Sequence, residues 1–172
     1  MTRGFENNNP GNIRLNPLIK WEGEIQGTDK SFVTFKNMTY GIRALMKLLI
    51  NYKKRGYNTI ELILNRYAPA NENNTTGYIE KVSISTGIPK NQNLVLDQGQ
   101  ILKIAKAIVK VEIGNDSNLI SNETYLNAYV LLKDPGLGEA YLKLREIWNT
   151  ILNYWYILIL IPVALWYVTR KR

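Results

Sequence analysis

Asp97-Gln98-Gly99-Gln100-Ile101-Leu102-Lys103-Ile104-Ala105-Lys106-Ala107-Ile108-Val109-Lys110-Val111-Glu112-Ile113-Gly114 is the stretch on which the reading of this chain turns. Ile101, Ile104, Ala105, Ile108 and Val109 recur at three- and four-residue intervals, which places them on one face of an α-helix. Asp97 followed by Gln100 is a capped start, and Gly114 is a stop. The next member of the same stripe is Glu112, so a carboxyl falls on the core-facing side of the last turn, where the helix emerges into a loop or cleft. Burial disfavours the ionised form and raises a carboxyl pKa, as a general acid for glycosidic cleavage requires near neutral pH. The plain alternative is a helix that frays earlier, or a side chain turned to water, because amphipathic stripes commonly finish on a charged residue.

The flanking sequence is also largely helical. Ile42, Leu45, Met46, Leu49 and Ile50 predict a helix from about Thr39 to Arg55, with Lys53, Lys54 and Arg55 at its negative end and Gly56 as its stop. Asn58 with Glu61 predicts a capped helix that runs to Tyr67, closed by Pro69. Asn73, Asn74 or Thr75 caps the next helix, which Gly87 ends. Ser121 or Asn122 starts another that reaches Lys133. Asp134-Pro135-Gly136-Leu137-Gly138 reads as a turn or hinge, with Glu139 to Asn149 helical beyond it. Between Trp21 and Phe35, Gly23, Gly27 and the alternating Ser31-Phe32-Val33-Thr34-Phe35 suit a small hairpin. Neither an internal repeat nor a low-complexity tract is present.

The chain has no Cys and no His, which excludes disulfides, the usual zinc sites, thiol or imidazole nucleophiles and imidazole bases. No metal or cofactor is expected. Chemistry must rest on carboxylates, hydroxyls, amides, Lys or Tyr. A formal charge of +8 favours polyanionic surroundings, which include nucleic acid, anionic headgroups and the bacterial wall. Met1 to Pro10 is polar and Asn-rich and carries no secretory core.

Two further carboxylates are candidates beside Glu112. Glu72 lies in a polar loop ahead of a helix, where capping is the simpler role, and Asp29 lies in the extended region, where a surface turn is the simpler one. Asn7-Asn8-Asn9-Pro10-Gly11-Asn12-Ile13-Arg14 is dense in amides around a Pro-Gly turn. Amides both donate and accept, so Asn8, Asn9 and Asn12 suit recognition of sugar hydroxyls and acetamido groups, against the alternative of a flexible terminus rich in turn formers.

Ile151 to Val168 reads ILNYWYILILIPVALWYV and is followed by Thr169, Arg170, Lys171 and Arg172. Its length corresponds to about 27 Å of helix at roughly 1.5 Å per residue, near the thickness of a hydrocarbon core, with aromatic residues at both ends. A C-terminal transmembrane helix over 151–168 is the expectation. The domain organisation follows as 1–133 for the catalytic domain, 134–150 for a hinge and juxtamembrane helix, 151–168 for the span and 169–172 for a basic tail.

Several stretches, in order from Arg3 to Leu132, resemble one phage family. They are Arg3-Gly4-Phe5 with the Asn-Asn-Asn-Pro-Gly-Asn-Ile-Arg run, Trp21 with Gly23, Phe32-Val33-Thr34-Phe35, Tyr40-Gly41-Ile42-Arg43-Ala44-Leu45, Tyr67-Ala68-Pro69, and Glu72-Asn73-Asn74-Thr75 with Tyr78-Ile79. They are similar to the lysozyme-like virion proteins of phages. The resemblance implies a mainly α, lysozyme-like domain with a small β element, and cleavage of peptidoglycan glycan strands. Tyr78 joins Asn8, Asn9 and Asn12 as a substrate-binding candidate. Glu112 with Gly114 also resembles the acid-bearing helix of lytic transglycosylases, although Ile113 stands where that family has a small residue. In those enzymes the Asn-rich segment follows the acid, whereas here it comes first, which implies a circularly permuted arrangement with the Asn8–Asn12 loop beside Glu112.

The function expected is that of a membrane-anchored virion glycosidase, a lytic transglycosylase or muramidase, acting in genome entry or host lysis. Its partners would be peptidoglycan, a lipid membrane and capsid proteins, with no specific nucleic acid. It would reside in an internal membrane of the virion, or in the host inner membrane during assembly or lysis. The main rival is a non-catalytic particle protein that retains the fold. A basic protein binding the packaged genome is a third reading, which accounts for the charge and not for the Asn-rich motif.

Overall fold

The computed structural model describes residues 1–69 and 74–170, with side chains described as far as Tyr154. The chain divides into two compact units, Met1–Lys133 and Asp134–Arg172.

The first unit is mainly helical. It opens with the short helix α1 (Arg3–Glu6) and the asparagine loop, then a two-stranded antiparallel sheet of β1 (Glu24–Ile25) and β2 (Thr34–Phe35), in which Glu24 pairs with Phe35 and Ile25 with Thr34. A bridge from Arg14 to Phe32 ties the loop to this hairpin. Five helices follow in sequence: α2 (Met38–Lys54), α3 (Ile60–Tyr67), α4 (Thr75–Thr86), α5 (Gln98–Ile113) and α6 (Asn122–Lys133), with a 3-10 turn at Gly114–Leu119 between the last two.

Each helix from α2 to α5 starts on a side chain that accepts an otherwise unbonded N–H of the first turn. Asn37 accepts from Tyr40 N, Asn74 from Gly77 N, and Asp97 from Gln100 N. Gln100 reaches back in turn, accepting from Val95 N at 2.8 Å and Leu96 N at 2.9 Å. The cap of α3 is Thr59, which accepts from Leu62 N, one residue beyond the Asn58 expected. The α4 helix ends at Gly87 in the left-handed conformation, at φ +68°.

The central helix is α2, whose residues from Tyr40 to Met46 are all buried. It packs against α5 and α6, while α4 packs against α3 and α5. Ile42, Leu45 and Leu49 meet Ile101, Ile104 and Ile108 in one apolar cluster, where each buried side chain contributes roughly 1.5–3 kcal/mol. Arg43 is buried beside this core, and its charge is compensated by an ion pair with Glu22 and a hydrogen bond to Leu131 O.

The second unit is the helix α7 (Pro135–Arg170). The expected hinge at Asp134–Gly138 is instead its start. Asp134 accepts from Leu137 N at 3.0 Å, and Pro135 occupies the first helical position, where its missing N–H costs nothing.

The transmembrane helix expected over 151–168 is not upheld, because no helix among the described residues is long and apolar enough to cross a membrane. Glu139, Lys143, Arg145 and Glu146 lie on the part of α7 ahead of the expected span, so charge interrupts the apolar run of the helix as a whole. Of the expected span, only the side chains of Ile151 to Tyr154 are described. From residue 155 onward the span is described as helical backbone alone, and Lys171 and Arg172 of the basic tail lie outside the described residues. The fold class is therefore mainly α with a small β element.

Candidate functional site

The apolar stripe of α5 leaves the core at its C-terminal turn. Ile108 and Val109 are fully buried, and Glu112, the next residue on that face, is half-buried. The helix remains regular through Ile113, and Gly114 turns the chain away at φ +55°.

What faces this turn is the asparagine loop. Asn9 is completely buried and folds the loop on itself: its Nδ2 donates to Ile13 O at 2.9 Å and to Val33 O at 2.8 Å, and its Oδ1 accepts from Ile13 N at 2.9 Å. Asn8 donates to Phe35 O at 3.1 Å. Asn8 and Asn12 both adopt positive φ, at 52° and 45°, a region that Asn tolerates better than most residues. The loop lies hard against α2, since a Cβ on Gly41 would stand 1.9 Å from Asn8 O.

This packing delivers Asn12 to the end of α5, where its Nδ2 donates to Glu112 Oε2 at 2.8 Å. From the other side Tyr78, on α4, donates its hydroxyl to Glu112 Oε1 at 2.7 Å. Tyr67, in the last turn of α3, stands edge-on to the Tyr78 ring at 6.4 Å between centroids, and its hydroxyl donates to Gly11 O. The carboxyl is thereby held from both oxygens, with the loop braced by a second aromatic ring.

Burial raises the Glu112 pKa and outweighs the opposing hydrogen bonds from Tyr78 and Asn12. Burial likewise pushes the Tyr67 and Tyr78 phenols well above their ordinary range, with the nearby Glu112 charge acting in the same direction. Both tyrosines therefore remain protonated donors. A cleft of about 930 Å³ opens beside Glu112, bounded by Asn12, Trp21, Phe32, Tyr52, Arg55 and Arg66 among others. Glu112 is the only carboxylate among the described residues that line it.

The other expected site residues lie elsewhere. The side chains of Asn8 and Asn9 are used on backbone carbonyls, and neither residue lines the cleft. Asp29 is outside the cleft as well. It accepts from Ser31 N, Phe32 N and Asn7 Nδ2, with Arg3 at 3.7 Å, and these bonds, the Ser31 amide foremost, lower its pKa. Asp29 thus closes a turn. Glu72 lies outside the described residues. No group of His, Cys, Asp or Glu suited to a metal ion occurs among the described residues.

Tyr67, Tyr52, Arg55 and Arg66 were not among the residues expected at a site. Arg55 and Arg66 sit at the C-terminal ends of α2 and α3, where helix-end electrostatics alone accounts for a cation. Only the cleft distinguishes them from other helix-end cations.

No family model matches the chain. Over 96 residues the chain is 45% identical to Protein P5 of Pseudoalteromonas phage PM2, an alignment that covers 54% of this chain and 60% of that protein. The chain thus spans about 60% of the length of the curated relative it matches, and its relative is a phage protein.

Proposed function

We propose that this chain is a phage virion protein that cleaves the glycan strands of peptidoglycan, in the manner of a lytic transglycosylase. The observation that carries the reading is Glu112: a half-buried carboxyl of raised pKa, held by Asn12 and Tyr78, at the edge of a long cleft. The similarity to a phage protein supports the virion setting. The resemblance of its motifs to those of lysozyme-like virion proteins supports peptidoglycan as the substrate class.

In the mechanism proposed, protonated Glu112 gives its proton to the glycosidic oxygen as the bond to the anomeric carbon breaks, and the leaving sugar departs as an alcohol. The resulting Glu112 carboxylate then removes the proton of the 6-hydroxyl on the muramic residue. That oxygen attacks the anomeric carbon and closes a 1,6-anhydro ring, so Glu112 ends protonated. No water is consumed, and one carboxyl suffices. An inverting hydrolase would need a second carboxylate across the scissile bond to activate water, and among the described residues the cleft offers none. Tyr78 and Asn12 stabilise the ionised stage by donating to it, while burial favours the protonated resting form.

The test is incubation of the purified full-length chain with peptidoglycan and mass spectrometry of the soluble products, with Glu112→Gln in parallel. Anhydromuropeptides from the wild type and none from the variant are expected. Reducing-end products without the anhydro ring would replace transglycosylation by hydrolysis. No product from a folded wild-type chain would sink the enzymatic reading in favour of a structural particle protein.

A further inference from the structure

The cleft continues beyond the reach of Glu112. A second hollow of about 380 Å³ shares Ile19, Trp21, Leu48, Tyr52 and Arg55 with the first, and it adds Lys47 among its lining residues. The two form one groove, with Glu112 in one half and the aromatic pair Trp21 and Tyr52 at the junction.

The charges along this groove are lopsided. Its carboxylates among the described residues are Glu112 and Glu22, and Glu22 is already paired with Arg43. Lys20 is paired with Glu24 at 3.0 Å, and Arg14 lies over the Phe32 ring. Lys47, Arg55 and Arg66 form no ion pair with another described residue. Arg55 and Arg66 are exposed and Lys47 is half-buried, so all three are open to a ligand. The Tyr52 ring is steadied by edge contact with Tyr57, at 6.0 Å between centroids, and Trp21 is half-buried. Flat, fixed rings suit the apolar faces of sugar rings, and the cations beside them suit acidic substituents on those sugars.

We propose that Arg66 in the Glu112 half of the groove, Arg55 at the Trp21 and Tyr52 junction and Lys47 in the other half read the carboxylates on a glycan's side branches, so that the protein selects peptide-bearing peptidoglycan over a neutral amino-sugar polymer. This rests on the glycan-cleaving reading above and specifies which glycan. A glycan whose acidic branches occur on alternate sugars places carboxylates at intervals and leaves room for Glu112 and Glu22. A polyphosphate, with charge on every unit, would run against both carboxylates.

The experiment uses the full-length Glu112→Gln chain, which binds without turnover, and calorimetric titration with two probes of equal glycan length: peptide-bearing peptidoglycan oligomers and neutral N-acetylglucosamine oligomers. The acidic oligomer is expected to bind roughly ten-fold more tightly in low salt, the scale of two or three exposed charge pairs. Added Arg55→Gln and Arg66→Gln should abolish that preference and leave the neutral oligomer unaffected. Lys47→Gln, on the opposite part of the groove, should weaken it to a smaller degree. Equal affinity for both probes, or equal losses on both in the arginine variants, overturns the inference and leaves the proposed activity standing. Binding of neither probe by a chain with intact helical circular dichroism overturns both. Tighter, steeply salt-dependent binding of a DNA oligonucleotide overturns the inference in favour of nucleic acid.

Discussion

Glu112 and Asp29 each receive a side-chain amide from the same short loop, Asn12 to one and Asn7 to the other, and both bonds are 2.8 Å long. Their acidities nevertheless move in opposite directions. Asp29 is also half-buried, but it gathers two backbone N–H groups as well and has Arg3 at 3.7 Å, so donors and a cation together outweigh its desolvation and favour the ionised form. Glu112 has two donors, no cation at bonding distance among the described residues, and a half-buried position at the rim of the core. The difference teaches that a well-made hydrogen bond does not by itself set a carboxyl's role. The balance between desolvation and the donors and cation gathered around the carboxyl decides which way its acidity moves.

The sharpest way to break this comparison is to exchange each acid for its amide. Glu112→Gln should lower glycan cleavage by about 10²- to 10⁴-fold, the usual contribution of a positioned general acid, while Asp29→Asn should leave the rate essentially unchanged. Comparable losses in both would mean that the cleft has been assigned to the wrong carboxyl.

Next in size is the loop's own anchor. Asn9→Ala removes three buried hydrogen bonds and strands the Ile13 and Val33 backbone groups, at a cost of about 3 kcal/mol. Chemical denaturation should register that loss, and activity should fall with it, because Asn12 reaches Glu112 only from the folded loop. A variant with full stability would show that Asn9 does not organise the wall.

A smaller effect is expected from Tyr78→Phe. Loss of one donor to Glu112 should reduce the rate by roughly ten-fold. It should also move the Glu112 pKa further upward, because that bond opposes the effect of burial. The pH at which cleavage fades on the alkaline side should therefore rise. A downward displacement would contradict the assigned direction of the bond.

Stability against pH separates the two acids most gently. Glu112 has a native pKa above its unfolded value, so its favourable contribution is complete below the unfolded value and is lost as pH rises through the native one. Glu112→Gln should consequently gain thermal stability over the wild type at neutral pH, and the gain should shrink towards acid. Asp29, with a lowered native pKa, contributes above its unfolded value and loses that contribution as pH falls through the native one. Asp29→Asn should be slightly less stable at neutral pH, the smallest change of the set, and should converge on the wild type in strong acid. Melting curves across pH for both variants check both signs.

Local patterns carried much of the architecture. The α5 stripe, its Asp97 cap and its Gly114 stop are short-range features, and they locate Glu112 on the face that leaves the core. The partners of Glu112 are another matter. Asn12 is 100 positions away and Tyr78 is 34, and no local pattern distinguishes Asn12 from Asn8 and Asn9. All three share one composition, and only tertiary contact shows that one faces a carboxyl while the others hold backbone. The same limit explains Arg55 and Arg66, whose helix-end positions have a sufficient local explanation. Asp134-Pro135 shows the opposite limit: the same turn formers that suit a hinge are also a cap followed by Pro, which is how a helix begins. Apolar composition near the C-terminus is legible, but composition alone does not establish a membrane span, and no helix among the described residues is long and apolar enough to be one.

The contact between Asn12 and Glu112 joins the beginning of the first unit to nearly its end, and a growing chain makes those two residues at different times. At about 5–20 residues per second, the loop waits roughly five to twenty seconds for the carboxyl it will hold, the separation being 100 positions. During synthesis the amides exist without an acid, and the acid emerges only after the helices that must shield it. The paired amide and carboxyl are thus a late event in the life of each molecule, and a chain interrupted anywhere before α5 holds the loop without its acid.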